Sequence, residues 1–190
     1  MRDDKRRRIL AAATAVFEKR DFHQVLVSEV ASRAGVGKGT VYLYFPTKDD
    51  LHRGALEESL ERITSDVEAV AAADAPAADV LRRVVGVILR FFWRRPHLLT
   101  LAQHYERRRP RRARERRQRI MRAVERVLAR HRIGGTAGAR RLSVAFLLGL
   151  ARAGILEHGP ADRPDAVAAR IVDLYLHGVG GAVRRQRRAA

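Results

Sequence analysis

Apolar positions recur along most of the chain at intervals of three and four, the spacing of one helical face, while strand-like alternation is nearly absent. Ile9, Ala13, Val16 and Phe17 mark one such face and predict a first helix from about Asp4 to Arg20. Val27, Val30, Ala31 and Ala34 predict a short second helix over 27–34. Val41 and Phe45 anchor a third helix from Lys38 to Phe45. Pro46 blocks its continuation, and Thr47 with Asp50 forms a capping-box-like start for a long fourth helix reaching about Ala73. Proline and glycine punctuate the remainder. They predict a fifth helix from Pro76 to about Arg95, a sixth from Pro96 through Glu106 and a seventh from Pro110 to just before "GGTAG" at 134–138. An eighth covers Ala139 to Glu157, and a ninth runs from Pro164 to about Val183. The expectation is an all-α fold of about nine helices, with a three-helix domain over 1–46 and a second helical domain over 47–190.

The eighth segment, "LSVAFLLGLARAGIL", is apolar almost all the way round, interrupted only by Ser143 and Arg152. Such a helix needs burial on two sides. One side can pack on its own domain while the other meets a second subunit, and a two-fold homodimer is the simplest closed solution. Leu142, Phe146 and Leu150, with Ile171 and Tyr175 of the ninth helix, are the candidate seam. The alternative is a helix central to a monomeric core.

With 190 residues, 46% of them hydrophobic, the chain can bury a real core; it has no cysteine, so disulfides and thiolate metal sites are excluded. Basic residues before "ILAAATAVF" imitate an export signal, but the apolar run is short and Asp3 and Asp4 interrupt the basic region. No apolar run reaches membrane-spanning length, and a cytoplasmic location without membrane partners is the expectation. The net charge of +18 favours a polyanionic partner such as nucleic acid. Most of that surplus lies beyond residue 50, notably in "RRRPRRARERRQR" (107–119), where nine arginines face Glu115 alone. A solvated helix face, extra phosphate contacts and attraction of an anionic partner are its three readings. All four lysines, by contrast, lie in the first fifty residues.

The stretch "AGVGKGTVYLYFPTKDDL" (34–51) carries the chemistry. As a nucleotide-phosphate loop it fails: Gly39 follows Lys38 where Ser or Thr is required, Ser32 occupies the first glycine position, and the preceding segment has helical period. As a helix-turn-helix corner it succeeds. Gly35 follows the second helix where a left-handed residue is needed, Val36 packs inside the corner, and Gly37 is a weak N-cap for the third helix. With Val41 and Phe45 turned inward, the outer arc shows Gly39, Thr40, Leu43 and Tyr44, flanked by Lys38 and Tyr42. Cations and hydroxyls suit phosphates, and Leu43 suits a thymine methyl. Lys48 stands in the first turn of the fourth helix, where the dipole disfavours a cation, so a phosphate partner fits it better than solvent.

Residues 8–51, with "AAATAVFEKRDF", then "V-x-x-V-A-x-x-A-G-V", then "K-G-T-V-Y-x-Y-F-x-x-K-x-x-L", resemble the DNA-binding domain of the TetR family of bacterial transcriptional regulators. The resemblance covers about a quarter of the chain; beyond it only the architecture is similar. It implies a homodimer on a palindromic double-stranded operator, with the third helix in the major groove and the eighth and ninth helices forming the dimer interface. It places Lys38 and Gly39 against DNA, Thr40, Tyr42, Tyr44 and Lys48 on backbone phosphates, and Leu43 at a variable base-reading position. Two positions depart from the family pattern, Leu26 in place of Thr and Gly37 in place of Ser, which weakens two caps.

The implied function is sequence-specific DNA binding that controls transcription, as a repressor released by a small-molecule effector. Candidate pocket residues are Phe91, Phe92, Trp93, His97, His104, Tyr105, Met121 and Phe146, each equally explicable as core packing. An effector-independent architectural DNA binder is the alternative that the charge permits. The scattered histidines form no HExxH, Glu-x-x-His or G-x-S-x-G arrangement, so neither an enzyme nor a metal or cofactor site is expected.

Overall fold

A computed structural model describes residues 2–93, 97–108, 110–159 and 162–189, and no strand occurs among them. The chain separates into two compact units, Met1–Arg62 and Ile63–Ala190.

The first unit contains α1 (Arg2–Phe17), a single 3-10 turn (Phe22–Gln24), α2 (Val27–Ala34), α3 (Lys38–Tyr44) and the first half of α4 (Lys48–Ala71). Its core takes Ile9, Ala13, Val16 and Phe17 from α1, Val30, Ala31 and Ala34 from α2, and Val41 and Phe45 from and just after α3. Leu51 and Ala55 of α4 complete that core, and the buried Thr14 hydroxyl donates to the Ala55 carbonyl. The division therefore falls inside α4 rather than at Pro46, because the first turns of α4 close the head's own core. Gly54 shows how tightly: a Cβ there would lie 2.8 Å from Leu10 and 3.1 Å from Phe45. Thr47 caps α4 by accepting from the Asp50 amide at 3.0 Å while donating to its carboxylate at 2.7 Å. This supplies the hydroxyl-to-amide half of the expected capping box, while the Asp50 carboxylate takes the Thr47 hydroxyl rather than its amide.

The second unit holds the rest of α4 and α5 (Ala77–Phe92), α6 (His97–Arg108), α7 (Pro110–Arg130), α8 (Ala137–Glu157) and α9 (Pro164–Ala189). The expected starts at Pro96 and end near Arg95 lie outside the described residues. α9 continues past Val183, with a non-helical break at Gly178 (φ 67°, ψ 172°). α5 is central and packs on α7, α8 and α9, burying Val80, Leu81, Val84, Val85 and Leu89. Ion pairs tie its polar edge to α9: Arg82 to Asp173 at 3.2 Å, and Arg90 to Asp165. Arg130 at the end of α7 donates to the Ala71 and Ala73 carbonyls, satisfying acceptors that the end of α4 leaves open.

Arg119 of α7 grips Glu68 of α4 through two bonds of 2.6 and 3.1 Å. That hydrogen bond, with the charges of Arg119, Arg126 and Arg122, holds the Glu68 carboxyl below the usual carboxylate range against a smaller opposing push from burial. A carboxyl pKa depressed by folding stabilises the fold above its unfolded value and loses that contribution as pH falls through the folded one. With both side chains about a third exposed, the pair contributes no more than about 1 kcal/mol. Glu68→Gln therefore lowers stability slightly at pH 7, and urea melts at pH 3 show wild type and variant converging.

Candidate nucleic-acid interface

The corner between α2 and α3 is built by Gly35. Its φ of 64° is the left-handed conformation that a side chain disfavours. The Gly35 amide donates to the Ser32 carbonyl at 3.1 Å and the Val36 amide to Ala31 at 3.0 Å, the paired closure of a Schellman turn. Arg8 reaches across from α1 and donates to the Ala34 carbonyl at 2.7 Å. A Cβ on Gly35 would meet that same guanidinium at 2.8 Å. The corner is thus held by main-chain bonds, by an arginine from α1, and by Val36 packed on the core.

α3 then presents a divided surface. Val41 is fully buried, whereas Lys38, Gly39, Tyr42 and Leu43 are exposed, Leu43 to 73%. Leu43 is the most exposed large apolar side chain of this seven-residue helix. Thr40 is half-exposed. Tyr44 departs from the outer arc expected of it: three residues after Val41, its ring lies beside the inward face and packs on the head's core, leaving it half-buried. Lys38 stands 6.0 Å from the Tyr42 ring centre. Lys48 rests 4.5 Å from the centre of the Phe22 ring, an attraction that offsets the unfavourable helix dipole in the first turn of α4. Phe22 belongs to the 3-10 turn, too short for periodicity to reveal, so sequence reasoning missed this support.

Neither Leu26, which precedes α2 and is 64% exposed, nor Gly37 before α3 makes a side-chain cap bond. Both helices start with uncapped amides, as the two departures from the family pattern suggest.

The described residues among those proposed from sequence for an effector pocket are spread over several places. Phe92 is core and packs edge-on against Phe91. Trp93 donates its indole N–H to the Asp162 carbonyl at 3.0 Å and neighbours His158. His104 and Phe146 are exposed; the His97 and Tyr105 side chains lie outside the described residues. Met121 lines a cleft of about 810 Å³ between α7 and α8 that also takes in Arg114, Arg117, Arg122, Arg141 and Leu142. Among the arginines of the basic run, Arg111 pairs with Glu115 at 3.3 Å, while Arg114 and Arg117 turn to this cleft. A binding cleft was not legible there because a charge run reads first as a solvated face.

For the candidate seam, Leu142 and Phe146 are 60% and 63% exposed, and Leu150 and Tyr175 are half-buried. Ile171 is corrected: it is buried within its own unit, against Gly154 of α8. The absence of a side chain at Gly154 is what lets it in. Leu142, Phe146, Gly149, Ala153 and Leu156, at alternating spacings of four and three, form an exposed apolar or small stripe along α8.

No group of three or more His, Asp or Glu side chains that could hold a metal occurs among the described residues, and no described helix is long and apolar enough to cross a membrane.

A helix-turn-helix head joined to a helical unit that leaves one helix face apolar defines a class of two-unit all-α proteins. Residues 9–54 match the family model described as bacterial regulatory proteins, tetR family. The chain is 38% identical over 99 residues to the HTH-type transcriptional repressor KstR of Mycolicibacterium smegmatis, covering 52% of this chain and 48% of that one. The chain thus spans about half the length of the curated relatives it matches. Its fold is similar to a TetR/AcrR-family transcriptional regulator from Thermobifida fusca, with TM-score 0.72 and 22% identity over 93% of this chain and 98% of that one. It is also similar to the regulator FadR from Bacillus subtilis, solved with stearoyl-CoA, with TM-score 0.58 and 22% identity over 90% and 98% of the two chains. The family match is thus carried by the helix-turn-helix head, and the likeness of the remainder is one of fold.

The corner makes two predictions. Gly35→Ala costs about 1–2 kcal/mol, since it strains a positive φ and displaces Arg8. Leu26→Thr adds about 0.5–1 kcal/mol by restoring an N-cap acceptor. Chemical denaturation checks both.

Proposed function

We propose that this protein is a sequence-specific, double-stranded-DNA-binding transcriptional regulator acting as a homodimer on a palindromic operator. The observation that carries the reading is the divided surface of α3: a fully buried Val41 fixing the helix, and Lys38, Gly39, Tyr42 and Leu43 standing exposed opposite it. In this reading α3 enters the major groove, Leu43 meets a base edge or thymine methyl, and Lys38, Thr40, Tyr42 and Lys48 hold phosphates. Tyr44, half-buried, contributes through its hydroxyl alone. The match of residues 9–54 to the family model supports it.

The uncovered stripe on α8 supports the dimer. A protein that leaves Leu142, Phe146 and Leu156 in water has a surface suited to a second copy, and a two-fold axis pairs the stripe with itself. Two heads in successive major grooves then read two half-sites, and a ligand in the helical unit that altered their separation would weaken both contacts together. Repression follows the likeness to the repressor KstR, and an organic effector follows FadR, which was solved with stearoyl-CoA. The rival, an architectural binder indifferent to sequence, would hold unrelated duplexes equally well at physiological salt.

Three outcomes test the reading. Replacing Lys38 or Lys48 by Ala weakens binding about equally on all duplexes and lowers the salt slope by about one counterion each. Leu43→Ala instead changes sequence preference at one position per half-site, by about 1–3 kcal/mol, and leaves the slope alone. Phe146→Glu shifts sedimentation from dimer to monomer; a wild-type protein that sediments as a monomer removes the palindromic arrangement.

A further inference from the structure

The cleft between α7 and α8 has a composition that neither core packing nor a solvated face accounts for. α7 buries Ala123, Val124, Val127 and Leu128 on one face. Arg114, Arg117, Met121 and Arg122 stand on another, facing Arg141 and Leu142 of α8 across the opening. Four guanidiniums share the space with one carboxylate, that of Glu125. The neighbouring Arg111 and Arg119 are paired with Glu115 and Glu68; no ion pair among the described residues engages these four, although the charge of Arg122 also acts on Glu68 from a distance. Like charges gathered around a concave wall repel one another and focus a positive field into it. Their planar, forked donors match phosphate oxygens in particular. Met121, Leu142 and Ala145 add apolar lining, and Gly138 has open space where a side chain would stand. At about 810 Å³ the opening is within the usual range for a small organic ligand.

We propose that this cleft is a binding site for an organic phosphate: a phosphoryl group held by Arg114, Arg117, Arg122 and Arg141, with a compact apolar body lying on Met121, Leu142 and Ala145. The site stands on its own geometry; its role as the effector site rests on the regulator reading. Because Leu142 also belongs to the α8 stripe, Met121 is the position at which the apolar contribution is separated from assembly.

Calorimetry on the full chain without DNA tests the site, with inorganic phosphate and phenyl phosphate as probes. The expected result is one phenyl phosphate per subunit, bound at least tenfold more tightly than inorganic phosphate. Arg117→Gln combined with Arg141→Gln lowers phenyl phosphate affinity at least tenfold, whereas Arg163→Gln with Arg170→Gln, which do not line the cleft, leaves it unchanged. Met121→Gln brings phenyl phosphate down toward inorganic phosphate without changing the latter. These side chains are partly or fully exposed, so unchanged circular dichroism accompanies each variant. Equal affinity for the two probes, or an equal loss in the Arg163/Arg170 control, overturns the site and leaves general attraction to a basic protein. Unchanged phenyl phosphate binding in the Arg117/Arg141 variant, with a flattened salt dependence on duplex DNA, overturns it in favour of a phosphodiester contact. A wild-type protein that ignores DNA but binds phenyl phosphate as described fails the regulator reading and keeps the site.

Discussion

The structure of the head depends on one turn of backbone. Gly35 adopts a left-handed conformation so that α2 can end and α3 can begin at an angle within three residues. Main-chain bonds to Ala31 and Ser32 close the turn, and Arg8 spans from α1 to the Ala34 carbonyl. Val30 and Val41, both fully buried, then lock the two helices against α1 and the start of α4. Only because this inward face is determined does the opposite one acquire a defined orientation. An exposed leucine on a floppy turn would carry little information; Leu43 on a helix held this way presents its methyls in one direction.

The charge of the chain has several uses. Arg82 and Arg90 fasten α5 to α9, Arg119 fastens α7 to α4, and Arg130 completes the end of α4. These arginines are structural ties whose long stems and forked heads suit contacts between helices. They account for part of the +18 without implying any partner. The cations beside the exposed face of α3 are instead lysines, Lys38 and Lys48, each placed near an aromatic ring rather than an acid. The cleft arginines form a third group, four of them gathered around the single carboxylate of Glu125. Net charge alone could not have separated these three populations.

Much of the fold was legible because it rests on local rules. The bounds of α2 follow directly from Val27, Val30, Ala31 and Ala34 and from the glycine after them. Pro46 and Thr47 announce α4, and Pro110 and Pro164 open α7 and α9 as expected. α1 begins at Arg2 and stops at Phe17, earlier at both ends than its charged flanks suggested, and α3 ends at Tyr44 rather than Phe45. What periodicity could not show was the 3-10 turn carrying Phe22, too short to display a repeat, or the completion of the head's core by Leu51 and Ala55. It also could not show which apolar side chains of α8 and α9 face one another. Ile171 and Phe146 look equivalent in the sequence; Gly154 makes room for the first, while the second remains uncovered. Of the residues expected to share a pocket, Phe91 and Phe92 meet each other while Trp93 meets Asp162 and His158, because shared helices say little about convergence in space.

On the proposed reading, the exposed face of α3 reads duplex sequence in two-fold symmetric pairs. Selecting bound duplexes from a random pool, at physiological salt and with the full chain, tests it most directly. The expected result is enrichment of a palindromic sequence whose half-sites change identity when Leu43 is replaced. Recovery of duplexes with no common sequence, or of a single asymmetric site, would contradict it.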